Sequence, residues 1–222
     1  MRQVFADELT AVEQRLQAAL DRVPETLTLV AEQLDGRRND HADWVAGDAE
    51  QLRQIAKTID PELVLISARQ APVAGDLRLV LALLELAHHA ILIANQLGLI
   101  AEQLTEINPD TPDHAGTTDE LSQMIAFAGR QLREALTAVD TRDLTSARGR
   151  EKQDNEIDQI NRRIFKTALE PGATTAQREL AMRHMLISRS IERIGDNAVD
   201  LGEQAAFLVT RLCRSVPVGP RV

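Results

Sequence analysis

The sequence predicts an all-α protein made of two tandem antiparallel three-helix bundles related by internal duplication. Three observations support this prediction. Apolar residues recur at helical spacing along nearly the whole chain. Aromatic residues make up only 2% of the 222 residues and tyrosine is absent, which is not the composition of a β-sheet protein. A turn-rich segment, residues 108–117, lies close to the middle of the chain and is expected to be a linker.

The first half, residues 1–107, contains three predicted helices joined by short turns. Pro24 falls within the first of them, so this helix is expected to be kinked or divided there. Pro61 follows Asp60 in the second, an arrangement typical of a helix start, so a break or kink is predicted at this point. The predicted helices cover residues 2–35, 40–70 and 75–107.

The second half, residues 118–215, repeats the same plan of a helix, a helix with acids near its middle, a short turn and a long helix. Each half has about the size of a three-helix bundle. The predicted helices cover residues 118–140, 143–169 and 176–214, and residues 216–222 are expected to be a frayed tail.

Matching stretches in the two halves favour an internal duplication. Acidic residues recur in the middle of the second and fifth predicted helices. They are Asp48 and Glu50 in the second, and Asp154, Glu156 and Asp158 in the fifth. The third and sixth helices align with Ile91 over Glu192 and Asn95 over Asp196.

Charge and composition restrict the classes of function. The net charge is −9, no basic stripe is present and few aromatic residues are available for base stacking, which argues against a nucleic-acid partner. Cys213 is the only cysteine, so an internal disulfide is excluded and a reducing cytoplasm is expected. The N-terminus lacks the apolar run of a signal peptide, and the third predicted helix is too polar to be a comfortable membrane span.

A column of carboxylates is the main candidate for a functional site. Glu192, Asp196 and Asp200 recur every four residues, which stacks them along one side of the last predicted helix. Like charges at this spacing destabilise a helix by roughly 0.2–0.5 kcal/mol per pair, so a neutralising partner is expected, either a metal ion or a nearby arginine. Asp154 and Asp158, also four apart, offer a facing pair. Carboxylate oxygens suit hard or borderline cations such as Mg, Mn or Fe.

Two alternatives to a regulator with a metal site stay open. Arg189 and Arg193 are close enough in sequence to neutralise the acids on a solvated helix face, which would leave a metal-free helical adaptor. A ferritin-like di-metal enzyme needs two Glu-x-x-His pairs, and the sequence offers one, Glu85 and His88.

Three stretches resemble the PhoU family of phosphate-specific transport regulators. The segment "ERIGDNAVDLGE" is similar to the family's E(D)-x-x-x-D signature, and "DNEID" to its acidic patch on the fifth helix. The segment "QAPVAGDLR" resembles the turn before the third helix. Its matching residues are Pro72, Ala74, Asp76, Leu77 and Arg78. The resemblance extends along essentially the whole chain and implies two tandem three-helix bundles.

The resemblance also implies a function. It indicates a cytoplasmic, non-enzymatic negative regulator that links a high-affinity phosphate transporter to a two-component sensor histidine kinase. The implied partners are the transporter's ATPase subunit and the kinase, met at the membrane face, and a homodimer is left open. The implied cofactors are Fe or Zn clusters or lighter divalent ions such as Mn or Mg. The implied ligands are Glu192 and Asp196 with Asp154 and Asp158 opposite, and more weakly Asp200.

The first half departs from the family pattern. Acids are expected at positions 91 and 95, and the chain has Ile91 and Asn95. Asp48 and Glu50 remain, so we predict a degenerate first site and a retained second site. Whether His88 and His89 substitute for the lost ligands is left open. At the turn, Asp76 is expected to favour the helix dipole and Arg78 to pair with a nearby acid, without contact to phosphate.

Overall fold

The computed structural model describes residues 2–37, 40–70, 72, 75–113, 116–142, 157, 159–166 and 174–209. All regular structure within these ranges is α-helical, so the predicted helical-bundle fold is confirmed. The helices are α1 (Arg2–Asp21), α2 (Val23–Leu34), α3 (His41–Gln70), α4 (Gly75–Thr105), α5 (Thr117–Thr141), α6 (residues 159–166) and α7 (Thr175–Val209).

The first predicted helix is divided as expected. The division lies at Arg22, between α1 and α2, two residues before Pro24. Proline lacks an N–H group and so is well tolerated in the first turn of a helix. The carbonyl of Arg22 accepts hydrogen bonds from the N–H groups of Glu25 and Thr26 at 3.1 and 3.0 Å, which starts α2.

The predicted break at Pro61 is wrong, because α3 continues through this residue to Gln70. Pro61 removes one backbone hydrogen bond, and it lies on the exposed side of the helix, where water can bond the freed carbonyl. Ile59 and Leu63, on either side, are fully buried. The packing of these two side chains keeps both parts of the helix against the core.

The remaining helix ends agree with the prediction within two residues where the structure describes them. α4 ends at Thr105 and α5 begins at Thr117. Asp113 holds the start of α5, since its Oδ2 accepts the Thr118 N–H at 2.7 Å. The fifth predicted helix, 143–169, is described only at residues 157 and 159–166, and the predicted tail, 216–222, lies outside the described residues.

The two halves share one core. α3 packs on α4 and α5 packs on α7, while α4 also packs on α7 and α2 on α5. The buried apolar side chains of both halves form one continuous cluster. Polar contacts cross the same boundary: the Gln17 side-chain amide donates to the Leu136 carbonyl at 3.1 Å. The two predicted bundles, residues 1–107 and 118–215, therefore share one hydrophobic core in the described part of the chain.

The pattern of buried positions repeats between α4 and α7, as an internal duplication predicts. In the alignment of Ile91 with Glu192, buried residues of α4 fall on buried residues of α7. The pairs are Ala90 with Ile191, Ala94 with Gly195, Leu97 with Ala198 and Ile100 with Leu201. Both helices thus present equivalent faces to the core.

The alignment of α3 with α6 differs by one residue from the one predicted from acidic residues. That prediction places buried Ile59 against Phe165, whose side chain is 52% exposed. A shift of one residue instead pairs Ile59 with buried Ile164 and Leu52 with buried Ile157. In this register Arg53, and no acid, aligns with position 158.

α4 is long and apolar enough to cross a membrane by length and composition alone. Half of its most apolar stretch is buried inside the protein, against α3 and α7. The central helix of a globular bundle has the same properties. The apolar composition of α4 is therefore accounted for by its place in the core.

Candidate functional site

Glu192 lies at the contact between α6 and α7. Its side chain is 13% exposed, and its Oε2 accepts hydrogen bonds from Asn161 Nδ2 of α6 and from Arg189 Nη1, each at 2.6 Å. Asn161 in turn accepts from the Ser188 hydroxyl at 2.7 Å. Glu192 is thus held in a fixed position on the side of α7 that faces α6, and Arg189 supplies a positive charge there.

Asp196 and Asp200 follow Glu192 on α7, and both are exposed. Asp200 turns toward the first half, where its Oδ2 lies 3.9 Å from His89 Nδ1 of α4. The same His89 nitrogen lies 2.8 Å from Asn197 Oδ1. These two polar contacts of His89 are therefore with α7, and neither is with a residue of the degenerate first site.

Asp154 and Asp158, the acids predicted to oppose Glu192, lie outside the described residues. In the described part of the chain, no group of three or more His, Cys, Asp or Glu side chains is arranged to hold a metal ion. The carboxylates of α7 do have the oxygen chemistry that hard cations require. The four-acid metal site stays a prediction.

In the first half, the guanidinium of Arg53 lies between α3 and α4. Its Nε donates to Asn95 Oδ1 at 3.2 Å, its Nη2 donates to the Ala94 carbonyl at 3.3 Å, and its Nη1 pairs with Glu50 on α3. Hydrogen bonds from Gln54 and then Arg53 lower the pKa of the Glu50 carboxyl. A positive side chain already occupies this site, so its residues do not fit a metal ion.

The other residues of the first site do not join this group. Asp48 faces α1 and α2, where it pairs with Arg22 and accepts from the Thr26 hydroxyl at 2.8 Å. Ile91 is partly buried and packs against the core. The degenerate first site stays a prediction: Asp48 lies apart from Glu50 and Arg53, and the two positions on α4 lack carboxylates.

The Glu-x-x-His pair on α4 does not face the bundle interior. Glu85 and His88 are both exposed. Ferritin-like di-metal sites require such pairs to project inward between helices. This placement removes the feature that supported the di-metal alternative.

Gly195, next to Asp196, is a point of close helix contact. A Cβ atom at this position would lie 3.0 Å from Ile157 Cδ1 and 3.2 Å from Gln131 Oε1. Gln131 on α5 is fully buried, and neither of its side-chain polar atoms has a hydrogen-bond partner among the described residues. The glycine lets residue 157 and α5 approach α7 beside the carboxylate column.

The described residues of the turn before α4 and of the first turn of α4 have positions and contacts that fit a structural role. Pro72 is half-buried, and Asp76 lies exposed in the first turn of α4, where a negative charge favours the helix dipole. The Arg78 guanidinium lies 5.8 Å from the centre of the Phe207 ring on α7. This cation–π contact adds a link between the two halves.

An acidic cleft of about 460 Å³ lies where the two halves meet, near the start of α5. Asp35, Asp43 and Asp113 line it together with His184, which is 2% exposed. His184 Nδ1 lies 2.7 Å from the Thr117 hydroxyl, which donates to Asp113 at 3.1 Å. Burial lowers the pKa of His184, against the opposing effect of Asp113. The carboxylates make this cleft unfavourable for an anion such as phosphate.

Two residues of these sites are absent from the sequence prediction. Arg53 was missed because the halves were aligned by their acids, whereas alignment by buried apolar residues places it opposite position 158. Asn161 was missed because an amide carries no charge signal, and the search for ligands considered only acids. In both cases the useful signal is the apolar register of α3 and α6.

Comparison with known proteins finds that the chain is similar to phosphate-transport accessory proteins. Residues 121–205, from within α5 to within α7, match the family model described as the PhoU domain. The chain is 26% identical over 212 residues to the "phosphate-specific transport system accessory protein PhoU homolog" of Synechocystis, covering 94% of this chain and 92% of that protein. It is 25% identical to homolog 1 of Thermotoga maritima, covering 93% and 89% of the two chains.

Solved structures show the same fold. The crystal structure of PhoU from Pseudomonas aeruginosa superposes with a TM-score of 0.82 at 24% identity, covering 92% of this chain and 98% of that one. The phosphate transport system regulatory protein PhoU from Streptococcus pneumoniae gives a TM-score of 0.75 at 17% identity, covering 93% and 97%.

Proposed function

We propose that the chain belongs to the PhoU family and is a non-enzymatic regulator of phosphate uptake and of phosphate-responsive two-component signalling. It acts in the cytoplasm, as a negative regulator, by contact with other proteins. The supporting observation is the PhoU domain at residues 121–205, together with similarity to accessory-protein homologues along more than nine-tenths of the chain. The proposed partners are the ATPase subunit of a phosphate transporter and a sensor histidine kinase.

We further propose that metal ions bind the carboxylates of the second half. Glu192 and Asp196 would supply oxygen ligands from α7, with Asp154 and Asp158 as the proposed partners. Fe, Zn, Mn and Mg are the candidate ions, since all of them accept carboxylate oxygens. The support is the partly buried, fixed position of Glu192 and the column of acids that follows it.

A metal-free adaptor of the same fold is the second candidate. The observation that favours it is the pair of contacts already made by Glu192, with Arg189 and Asn161 at 2.6 Å. A guanidinium at this distance neutralises the carboxylate without any metal ion. The two candidates agree on the regulatory role and differ in whether cations take part.

One experiment tests both parts. The gene is deleted in its host, and a phosphate-starvation reporter is measured at high phosphate. Strains restored with the original chain, with a Glu192→Gln, Asp196→Asn variant, or with the matched control Glu203→Gln, an exposed acid of α7, are compared. The reporter should rise on deletion and fall with the original chain and the control. An unchanged reporter after deletion would overturn the regulatory proposal.

The purified, tag-free proteins then separate the two candidates. Elemental analysis before and after chelation, with thermal melting, should find metal in the original chain and in the Glu203→Gln control, and little in the doubly substituted variant. Chelation should lower the Tm of the first two proteins only. Absence of metal in the original chain, with a Tm insensitive to added ions, would favour the adaptor.

A further inference from the structure

Arg53 makes an unusual set of contacts for a side chain on a helix surface. All three guanidinium nitrogens have separate acceptors: Nε bonds Asn95, Nη2 bonds the carbonyl of Ala94, and Nη1 bonds Glu50. Two of the acceptors belong to α4 and one to α3. The side chain is 22% exposed, so the group is largely removed from solvent. A planar fork of donors can bridge two helices in this way, whereas a lysine ammonium cannot.

The surroundings on α4 leave room for this group. Gly98, one turn after Ala94, has no side chain, and a Cβ there would lie 3.5 Å from Arg53 Nη2. A carbonyl oxygen has two lone pairs, so that of Ala94 can accept from Arg53 and still bond within its helix. The guanidinium thus lies against the backbone of α4 at Ala94, Asn95 and Gly98.

The register of buried residues gives this arrangement a counterpart in the second half. Arg53 aligns with position 158, an aspartate, and Asn95 aligns with Asp196. One half therefore has a cation facing an amide where the other has two acids in its sequence. The set Glu50, Arg53 and Asn95 is neutral by itself, whereas acids at 158 and 196 are stabilised by a positive charge from outside the pair.

We infer that Arg53 is a built-in cation, which bonds α3 to α4 at the position where the sequence of the second half has the acids proposed to bind a metal ion. The first half accordingly binds no metal, and the guanidinium fixes the same pair of helices. The comparison with a metal ion rests on the function proposed above. The role of Arg53 as the cation of the first half is tested by experiments that do not depend on that proposed function.

The first test removes the cation alone. Arg53→Met keeps most of the aliphatic chain and loses all three hydrogen bonds. Its matched control is Lys57→Ala, which removes an exposed positive charge one turn later on α3. The Tm of Arg53→Met should fall by roughly 3–8 °C, since bonds from charged donors are lost, and that of the control by less than about 2 °C. Equal Tm values for the two variants would overturn the inference.

The second test exchanges the cation for a metal ion. The chain with Glu192→Gln and Asp196→Asn serves as background, so that metal uptake does not depend on the α7 acids. Arg53→Asp, Ile91→Glu and Asn95→Asp are added, and Mn²⁺ is titrated by calorimetry. The background should bind no Mn²⁺ at the first half. The converted chain should bind about one equivalent, with a Tm rise of roughly 5 °C at a hundredfold excess over Kd.

Two results would overturn the inference in this second test. One is a converted, folded chain that takes up no Mn²⁺. The other is a background chain that binds Mn²⁺ with Arg53 in place and loses it on Glu50→Gln. Failure of metal binding by the unmodified second half would instead count against the proposed function, because the background chain does not rely on it. If the converted chain does not fold, the Tm of Arg53→Met decides.

Discussion

In the first half, Arg53 of α3 donates to Asn95 and Ala94 of α4, while in the second half Asn161 of α6 donates to Glu192 of α7. The buried residues around both contacts occupy equivalent positions, with Leu52 matching Ile157. The charges differ although the register of the buried residues is the same. Apolar register therefore sets how the helices pair, and the polar positions beside it are free to change sign.

The strongest test of this comparison removes matched core side chains. Leu52→Ala and Ile157→Ala should each lower the free energy of unfolding by about 2–5 kcal/mol, because each leaves a cavity at an equivalent place in the core. Val64→Ala, at a site 63% exposed on α3, is the control and should change stability by less than about 0.5 kcal/mol. Denaturant unfolding followed by circular dichroism measures all three. A small loss at only one of the two core sites would refute the proposed register.

The next test uses a difference in packing between the halves. Ala94 of α4 aligns with Gly195 of α7, where a Cβ would meet Ile157 Cδ1 at 3.0 Å. Gly195→Val should destabilise the protein by about 1–3 kcal/mol, since residue 157 must be displaced. Gly47→Val is the control, because no atom of the described residues lies within 4 Å of a Cβ at Gly47. If denaturation curves showed equal stability for the two variants, the close contact at Gly195 would be unimportant.

The smallest expected effect is a difference between the halves in how pH changes protein stability, through His184 in the second half and Glu50 in the first. Burial lowers the pKa of His184 from 6.5, so the unfolded chain takes up a proton that the folded chain resists, and stability falls as the pH drops below about 6.5. Hydrogen bonds lower the pKa of Glu50 from 4.5, so its contribution is present above that pH and is lost below it.

Melting curves between pH 7.5 and 5.5 check this prediction. The Tm of the original chain should fall over this range, and that of His184→Gln should fall less. Glu50→Gln should follow the original chain, since Glu50 titrates only at lower pH. A His184→Gln variant with the same pH slope as the original chain would show that another group is responsible.

Most of the fold was predictable from helical periodicity, since buried positions recur along every helix described. The continuation of α3 through Pro61 was not, because the prediction treated the proline locally, whereas Ile59 and Leu63 hold α3 against the core on both sides. Tertiary packing outweighs the loss of one hydrogen bond when the affected carbonyl faces solvent.

The candidate site was predictable only in part. The spacing of Glu192, Asp196 and Asp200 identifies one side of α7, but Asp200 turns toward His89 of the other half. That contact depends on how α4 crosses α7, which sequence spacing along one helix does not contain. Identifying Arg53 required the correct alignment of two halves of low sequence identity. Aligning them by their acidic residues gives a register that is wrong by one residue.

Because Arg53 bonds both α3 and α4, the contact between these helices does not depend on the concentration of a metal ion. A dissolved ion occupies its site according to mass action, and its occupancy follows the amount that the surroundings provide. A guanidinium is a covalent part of the chain, so one is present in every molecule, and neither dilution nor metal depletion removes it. The pairing of α3 with α4 is therefore buffered against changes in metal availability, whatever happens at the carboxylates of α7.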